Sequence, residues 1–257
     1  MGELRYSSME YVEQEDLIGY ESIIHTQAIR VLKGYNTSAG AVEYHWEADA
    51  VEDLVEVLKV NEPGLVTFVP KEWVHSLEAI GYQVRNAWHD YFRSSLEDVE
   101  KVPVGELLQL EEATKASEVT MACKEQSRGF TGETPDWMRH WILGDVEGAQ
   151  QMGLKNTNIL IHRKNKKEIV GILCVGTYGH DSEKGPMLWI REVAVLPQEQ
   201  GQGIARSLLL RALSYGKELG ATRGFLAADE QNKGAIHLYK SIGFEPSKEE
   251  SHIDMVK

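Results

Sequence analysis

A mixed α/β (α+β) fold is predicted for this 257-residue chain, with a mostly antiparallel twisted sheet flanked by helices and two such domains in tandem. Three observations predict it. The length exceeds the usual size of a single core. The halves differ in charge: residues 1–103 hold 8 Lys and Arg against 19 Asp and Glu, whereas residues 104–257 hold 19 against 21. In the second half, apolar runs joined by a charged turn give way to strand, helix, strand and helix, the order of a mixed sheet covered by helices.

Taken along the chain, EDLIGYESIIHTQAIRVLKGY (15–35) reads as an amphipathic helix, because Leu17, Tyr20, Ile24, Ala28 and Val31 recur at spacings of three and four. A short strand near AVEYHW, a helix over VEDLVEVLKV, a strand at LVTFV, a helix over KEWVHSLEAIGY stopped by Gly81, and an alternating strand QVRNAWHDYFR follow. The polar segment SSLEDVEKVPVG ends near Pro103 and sets the boundary between residues 1–103 and 104–257. The second half opens with helical GELLQLEEATKASEVTMACKEQ. A second helix follows in FTGETPDWMRHWIL, where Thr134, or the turn from Thr131 to Thr134, forms the cap and Pro135 takes the first helical position. NILIHR and EIVGILCVGTYG form a hairpin about KNKK, and MLWIREVAVL is a longer strand. A helix, the strand RGFLAADE, the helix NKGAIHLYKSIGF ended by Gly243, and a last strand near SHIDMVK complete the chain.

Composition excludes several function classes. A net charge of −13 offers no basic face for a nucleic-acid backbone. No window reaches the eighteen or so apolar residues of a membrane span, and the acidic start MGELRYSSMEYVEQED lacks the apolar core of a secretory signal, so a soluble cytoplasmic protein with no membrane partner is expected. Gly2 is followed by residues that fit a myristoylation signal poorly. Cys123 and Cys174 sit in no CxxC pair or zinc-spaced cluster, so both read as reduced thiols and no metal is expected.

The chemistry concentrates in VAVLPQEQGQGIARSLLLRAL, residues 193–213. A helix starting near Gln202 leaves its first amides without intrahelical partners and collects positive dipole charge there. Glycines at 201 and 203 remove the Cβ atoms that would keep a ligand off that backbone, so the corner suits a phosphate or pyrophosphate. The Walker loop GxxxxGK[ST] is absent, and Gly201-Gln202-Gly203-Ile204-Ala205-Arg206 ends in arginine where a dinucleotide fingerprint requires glycine or alanine. A generic nucleotide-binding domain is thereby disfavoured.

Gln200-Gly201-Gln202-Gly203-Ile204-Ala205, entered through Val195-Leu196-Pro197, resembles the Q/R-x-x-G-x-G/A pyrophosphate loop of the GNAT (GCN5-related) N-acetyltransferase family. Asn232, Ala235, Tyr239 and Gly243-Phe244 fall in register with that family's N-x-x-A-x-x-x-Y-x-x-x-G-F run. The resemblance is specific over about residues 186–245 and follows by element order back to about residue 104. It implies acetyl-CoA as co-substrate, its pyrophosphate on the amides of residues 200–205 and its pantetheine arm beside Val193, Ala194 and Val195, as an added strand. Asn232 and Ala235 then support the cofactor or the helix start, and Arg206 is a candidate phosphate contact. Tyr239 matches the family's general acid for the departing thiolate, and the acceptor is an amine of a small molecule or a protein. A homodimer is also common in the family. A non-catalytic acyl-CoA-binding or regulatory module is the alternative reading.

Glu192 matches the position of a carboxylate near the acceptor in many relatives. It either deprotonates the amine through water, binds its charge, or forms a solvent-facing pair with Arg191. Alternation places Glu192 and Ala194 on one face and Arg191, Val193 and Val195 on the other, unless a bulge shifts the phase. His237 reads as a surface or packing residue, and the tryptophans of WMRHWI as packing or as an aromatic wall. Finally, Ser76–Tyr82 aligns with Leu238–Phe244, so residues 1–103 read as a degenerate GNAT-like copy. That copy has no glycine loop before the helix at 51–60 and Leu77 stands in place of the tyrosine, so it binds no acetyl-CoA. Its acidity either favours cationic amines or is an ordinary solvated surface.

Overall fold

The computed structural model describes residues 4–257 apart from Glu13, Ser38, Glu125 and Glu147, so Gly2 lies outside the described residues. The chain forms two compact units, Met1–His89 with Glu250–Lys257, and Asp90–Glu249. The division thus falls at His89/Asp90 rather than after Pro103, and the C-terminal residues join the first unit.

The first unit begins with β1 (Tyr6–Ser7), β2 (Glu21–His25), β3 (Ile29–Asn36) and β4 (Ala41–Ala48). Helix α1 (Val51–Val60), β5 (Leu65–Val66), α2 (Val74–Glu78) and β6 (Gln83–Arg93) follow. The helix expected over residues 15–35 is not formed. Beyond a short 3-10 turn at Gln14–Leu17, β2 and β3 pair as an antiparallel hairpin from Glu21↔Lys33 to His25↔Arg30. Ile23, Ile24, Ile29 and Val31 are β-branched, a stiffness that suits a pleated surface better than a helix. Ile29 and Val31 are buried while Arg30 between them is not, so the period-two pattern prevails over the spacing of three and four.

In the second unit, β7 (Glu106–Leu107), α3 (Ala113–Ala122), α4 (Pro135–Leu143), β8 (Lys155–Lys164), β9 (Glu168–Tyr178) and β10 (Met187–Val195) precede α5 (Ile204–Glu218). Then come β11 (Arg223–Asp229), α6 (Lys233–Ser241) and β12 (Glu245–Pro246). The sheet runs β11-β10-β9-β8-β7, and β12 pairs with the end of β6 through Glu245↔Phe92. The hairpin at KNKK closes at Lys164↔Glu168 around three residues, 165–167; Asn165 and Lys166 both hold positive φ (55° and 61°), and Lys167 N–H donates back to Lys164 O (3.3 Å). All residues of β9 between its ends are buried, because helices cover both faces. On one face α5 contributes Leu208, Leu209, Ala212 and Leu213 to a core with Leu173, Leu188 and Phe244. On the other, α3 and α4 pack Ala116, Val119, Met138 and Trp141 against Ile159 and Ile172.

The chain then returns to the first unit as β13 (His252–Val256), which pairs with β5 through Met255↔Val66 and with β6 through Ile253↔Ala87. In that unit's sheet, β2-β3-β4-β5-β13-β6, one face buries Tyr44, Trp46, Val66 and Met255 with Leu54 and Leu58 of α1 and Leu77 of α2.

Helix α5 approaches β10 closely at Gly216, where an added Cβ would lie 2.7 Å from a δ-carbon of the fully buried Leu188. Gly216→Ala is expected to lower the melting temperature: overpacking costs about 1–3 kcal/mol and outweighs roughly 1 kcal/mol gained in helix propensity. A raised melting temperature in calorimetry would mean that Leu188 yields freely.

Candidate active site

Strand β10 pairs with β9 along its length, from Met187↔Tyr178 to Val195↔Gly171, with a bulge between Ile190 and Glu192. Its parallel pairing with β11 covers only Met187↔Arg223, Leu188↔Gly224 and Trp189↔Phe225, although both strands continue. The two strands therefore part beyond Trp189 and Phe225. At the far end Leu196 N–H donates to Val170 O (2.9 Å), so Val193 and Val195, in alternate phase, turn their peptide groups to the parted side. Side chains meet those groups: Glu192 Oε1 accepts from Val193 N–H (3.2 Å), and Val195 O accepts from Gln200 Nε2 (2.9 Å) and Cys123 Sγ (3.2 Å).

The bulge shifts the phase of every residue after it. Before it, Leu188 and Ile190 enter the core under α5; after it, Val193 and Val195 do. Ala194 packs with Trp189 on the opposite face, toward α3 and α4. Glu192 shares the face of Ala194, as expected, but Arg191 does not join Val193 and Val195. As the inserted residue it projects onto the face of Trp189, its guanidinium 5.5 Å from the Trp137 ring centroid and 6.0 Å from that of Trp189. Its Nη2 donates to Glu133 Oε1 (3.3 Å) and its Nη1 lies 3.6 Å from Glu192 Oε2. The pair with Arg191 exists, yet Glu192 is not solvent-facing: its side chain is 10% exposed. Burial pushes its carboxyl up to about 8, with Arg191 opposing and Glu133 adding to the rise. Burial likewise raises Glu133.

The loop after β10 makes a 3-10 turn at Pro197–Glu199, and α5 begins at Ile204, two residues later than the sequence suggests. Gly201 (φ 76°) and Gly203 (φ 79°) both hold the left-handed conformation, and Gly203 caps α5 with no side-chain cap bond. A Cβ at either position would meet nothing within 4 Å, so the backbone there faces open space. Ile204 and Ala205 pack inward under the loop. The loop's side chains are engaged elsewhere. Gln200 holds Val195 O, Gln202 donates to Glu199 (3.0 Å), and Glu199 accepts from Lys164 (2.5 Å). Arg206, a candidate phosphate contact, instead donates to Ser241 on α6 (2.7 Å).

Asn232 caps α6, its Oδ1 accepting from Ala235 N–H (3.2 Å). Tyr239 lies on α6, half-buried, edge-on to Phe244 with ring centroids 6.4 Å apart. Burial, and next the charge of Glu192, push its phenol up, so the Tyr239 hydroxyl and the Glu192 carboxyl sense each other electrostatically. His237 is exposed.

Three features had no local sequence signal. Glu133 shares Arg191 with Glu192 although 59 positions separate them in sequence. Arg128 Nε bridges both carboxylate oxygens of the fully buried Asp229 at the end of β11 (3.2 Å each), tying the α3–α4 connection to the parted strands. Cys123 bonds Val195 O, while burial raises both cysteines' thiols and disfavours their reactive thiolates. Of the tryptophans in α4, Trp141 is core, donating toward Asn158 O and Val175 O, whereas Trp137, stacked on it at 5.1 Å, is the half-buried one facing Arg191. Among the described residues, no group of three or more His, Cys, Asp or Glu is placed to hold a metal ion, and no helix is long and apolar enough to cross a membrane.

Comparison with known proteins places this geometry. Residues 121–244 match the family model described as the acetyltransferase (GNAT) family. A mycothiol acetyltransferase of Streptosporangium roseum is 41% identical over 69 residues, covering 27% of this chain and 19% of the relative. An uncharacterized N-acetyltransferase of Methanocaldococcus jannaschii is 35% identical over 81 residues, 32% of this chain and 36% of the relative. The matches therefore span well under two thirds of these relatives. Among solved structures, a functionally unknown conserved protein from Staphylococcus epidermidis aligns over 97% of this chain and 99% of its own, with TM-score 0.56 and 15% identity. A GCN5-related N-acetyltransferase from Sphaerobacter thermophilus aligns over 90% of this chain and 76% of its own, with TM-score 0.55 and 13% identity. Both share the fold. With the parted strands and the glycine-capped helix in one unit, residues 121–244 form a domain of the GNAT acetyltransferase family.

Proposed function

We propose that the protein is an acetyl-CoA-dependent N-acetyltransferase that passes an acetyl group directly to an amine. The observation that carries this reading is the continuity of two features: β10 parts from β11 and runs within a few residues into a helix start whose two left-handed glycines leave the backbone open. An extended amide-bearing chain fits the first, and a pyrophosphate fits the amides of residues 201–205 at the second. The remaining site residues act around that line: Val193, Ala194 and Val195 present backbone, Gln200 orders the loop, and Asn232 with Ala235 fixes the start of the helix that carries Tyr239.

Acetyl-CoA supplies an acyl thioester, and the chain's own groups manage protons and charge. Glu192 accepts the proton that the attacking amine must lose. A carboxyl raised to about 8 is a stronger base than an ordinary carboxylate, and only its deprotonated fraction works. As the N–C bond forms and the C–S bond breaks, Tyr239 donates its proton to the leaving sulfur. A raised phenol stays protonated through neutral pH and so holds that proton until the sulfur becomes basic. The first unit supports a subsidiary role: α1 begins after Ala50 with no side-chain cap and no preceding glycine loop, and Leu77 is fully buried core, so we infer that it binds no acetyl-CoA.

Calorimetric titration is expected to give one acetyl-CoA per chain. Gly201→Val and Gly203→Val, which force a branched residue into the left-handed region, should remove that binding. No binding by folded wild type would overturn the reading. Tyr239→Phe should lower kcat by about 100-fold with binding retained, and undiminished turnover would exclude the phenol as acid.

The rate should rise with pH through about 8 as Glu192 ionises, and Glu192→Gln should flatten the profile. The sign for stability is opposite. A carboxyl whose folded pKa lies above its unfolded one loses stability as pH rises from about 4 toward 8, because the unfolded chain ionises first. Glu192→Gln should therefore raise the melting temperature near pH 8 and not near pH 4. An equal effect at both would show that Glu192 is not held neutral.

A further inference from the structure

The bulge between Ile190 and Glu192 leaves Arg191 on the face of Trp189 and brings Glu192 onto that same face, and the surroundings the guanidinium reaches are specific. Two indole rings, Trp137 and Trp189, lie 5.5 and 6.0 Å from it, and two carboxylates, Glu133 and Glu192, lie 3.3 and 3.6 Å away. Faces of indole rings and carboxylates both attract cations. The carboxylate side chains are 18% and 10% exposed, whereas Arg191 is 36% exposed, so the cage is built into the domain and its occupant reaches solvent. Two carboxyl groups share this one base, and burial raises both. Tyr178, edge-on to Trp189 with centroids 6.4 Å apart, extends the aromatic wall.

We propose that Arg191 is an internal stand-in, and that the cage of Glu133, Trp137 and Trp189 takes a second cationic group of the acceptor, so that substrates are amines carrying a further ammonium or guanidinium group. This rests on the acetyltransferase reading for the fate of the reactive amine, while the cage itself stands on its own geometry. Arg191 leaves by rotating into water. The incoming cation replaces it against Glu133 and the two rings, and Glu192, released from its pair, faces the reacting amine. An acceptor bearing a carboxylate nearby would add a third acid to the cluster and is disfavoured. Glu133 is thus a specificity-determining residue supplied by the loop before α4, which Thr134 caps through Trp137 N–H (3.1 Å), fixing Glu133 and Trp137 relative to one another.

The test uses butylguanidinium, a monocation without a reactive amine, titrated into the full-length protein by calorimetry in the absence of acetyl-CoA. Arg191→Met keeps an apolar stem against the rings and removes the competing charge, so it should bind the probe about tenfold more tightly than wild type. Adding Glu133→Gln or Trp137→Leu should abolish that gain. In the wild type, kcat/KM for 4-aminobutylguanidine should exceed that for butylamine by about tenfold, and Glu133→Gln alone should erase the difference by raising KM with kcat kept. Equal probe binding by wild type and Arg191→Met, or equal kcat/KM for the two amines, would overturn the proposal. Because the calorimetric arm needs no thioester, cation binding without acetyl-CoA binding would reject the acetyltransferase reading and leave the cage. Acetyl transfer without cation preference would do the reverse.

Discussion

Strands β10 and β11 must separate while each remains anchored elsewhere, and most of the second unit is arranged around that constraint. Parallel pairing holds through Trp189↔Phe225 and then stops, yet neither strand frays. Strand β10 stays attached to β9 up to Val195↔Gly171, and β11 ends on Asp229, which Arg128 grips through both carboxylate oxygens. Unpaired peptide groups inside a protein are costly, so the gap exists only because something meets them. Glu192, Gln200 and Cys123 supply part of that compensation from side chains. Each of those bonds is one that an extended amide ligand can replace, which makes the compensation compatible with binding.

The bulge is the second consequence. One inserted residue shifts the phase of β10, puts Val193 and Val195 in the core beneath α5, and brings Glu192 onto the face that already carries Trp189 and Arg191 and that Trp137 covers. Glu133, Arg191 and Glu192 thus share one face, away from the core under α5. Their mutual influence explains why Glu192 stands so far from an ordinary carboxylate: burial dominates, Glu133 reinforces it, and Arg191 compensates only in part. Distance from bulk water, rather than any residue's intrinsic chemistry, sets the site's acid–base behaviour.

Much of this was legible in the letters, and the failures have physical causes. The strands of the second unit, the Thr134-Pro135 helix start and the glycine loop could be read because each depends on neighbours within a few residues. Helix α6 and its Asn232 cap were local too. Residues 15–35 misled because apolar spacings of three and four and a hairpin of β-branched residues coexist there, and only pairing partners decide between them. The boundary misled for a related reason. Composition changes near Pro103, but the units exchange at His89 and the chain's final strand returns to β5 and β6, a long-range pairing that no local pattern encodes. At the site, the expectations for Glu192 and Tyr239 came from motifs, whereas the pairing of Glu133 with Arg191 is long-range and the bulge that brings Glu192 onto the face of Arg191 leaves no letter of its own.

The central claim is that the parted edge of β10 and the start of α5 form one continuous site for an acetyl-CoA molecule. Amide hydrogen exchange with and without acetyl-CoA tests it most directly, because it reads the backbone groups themselves. The account predicts slowed exchange on binding over residues 193–206 as one contiguous tract, with residues 51–60 of α1 unchanged. Slowing confined to α1, or none across 193–206 under saturating acetyl-CoA, would contradict it.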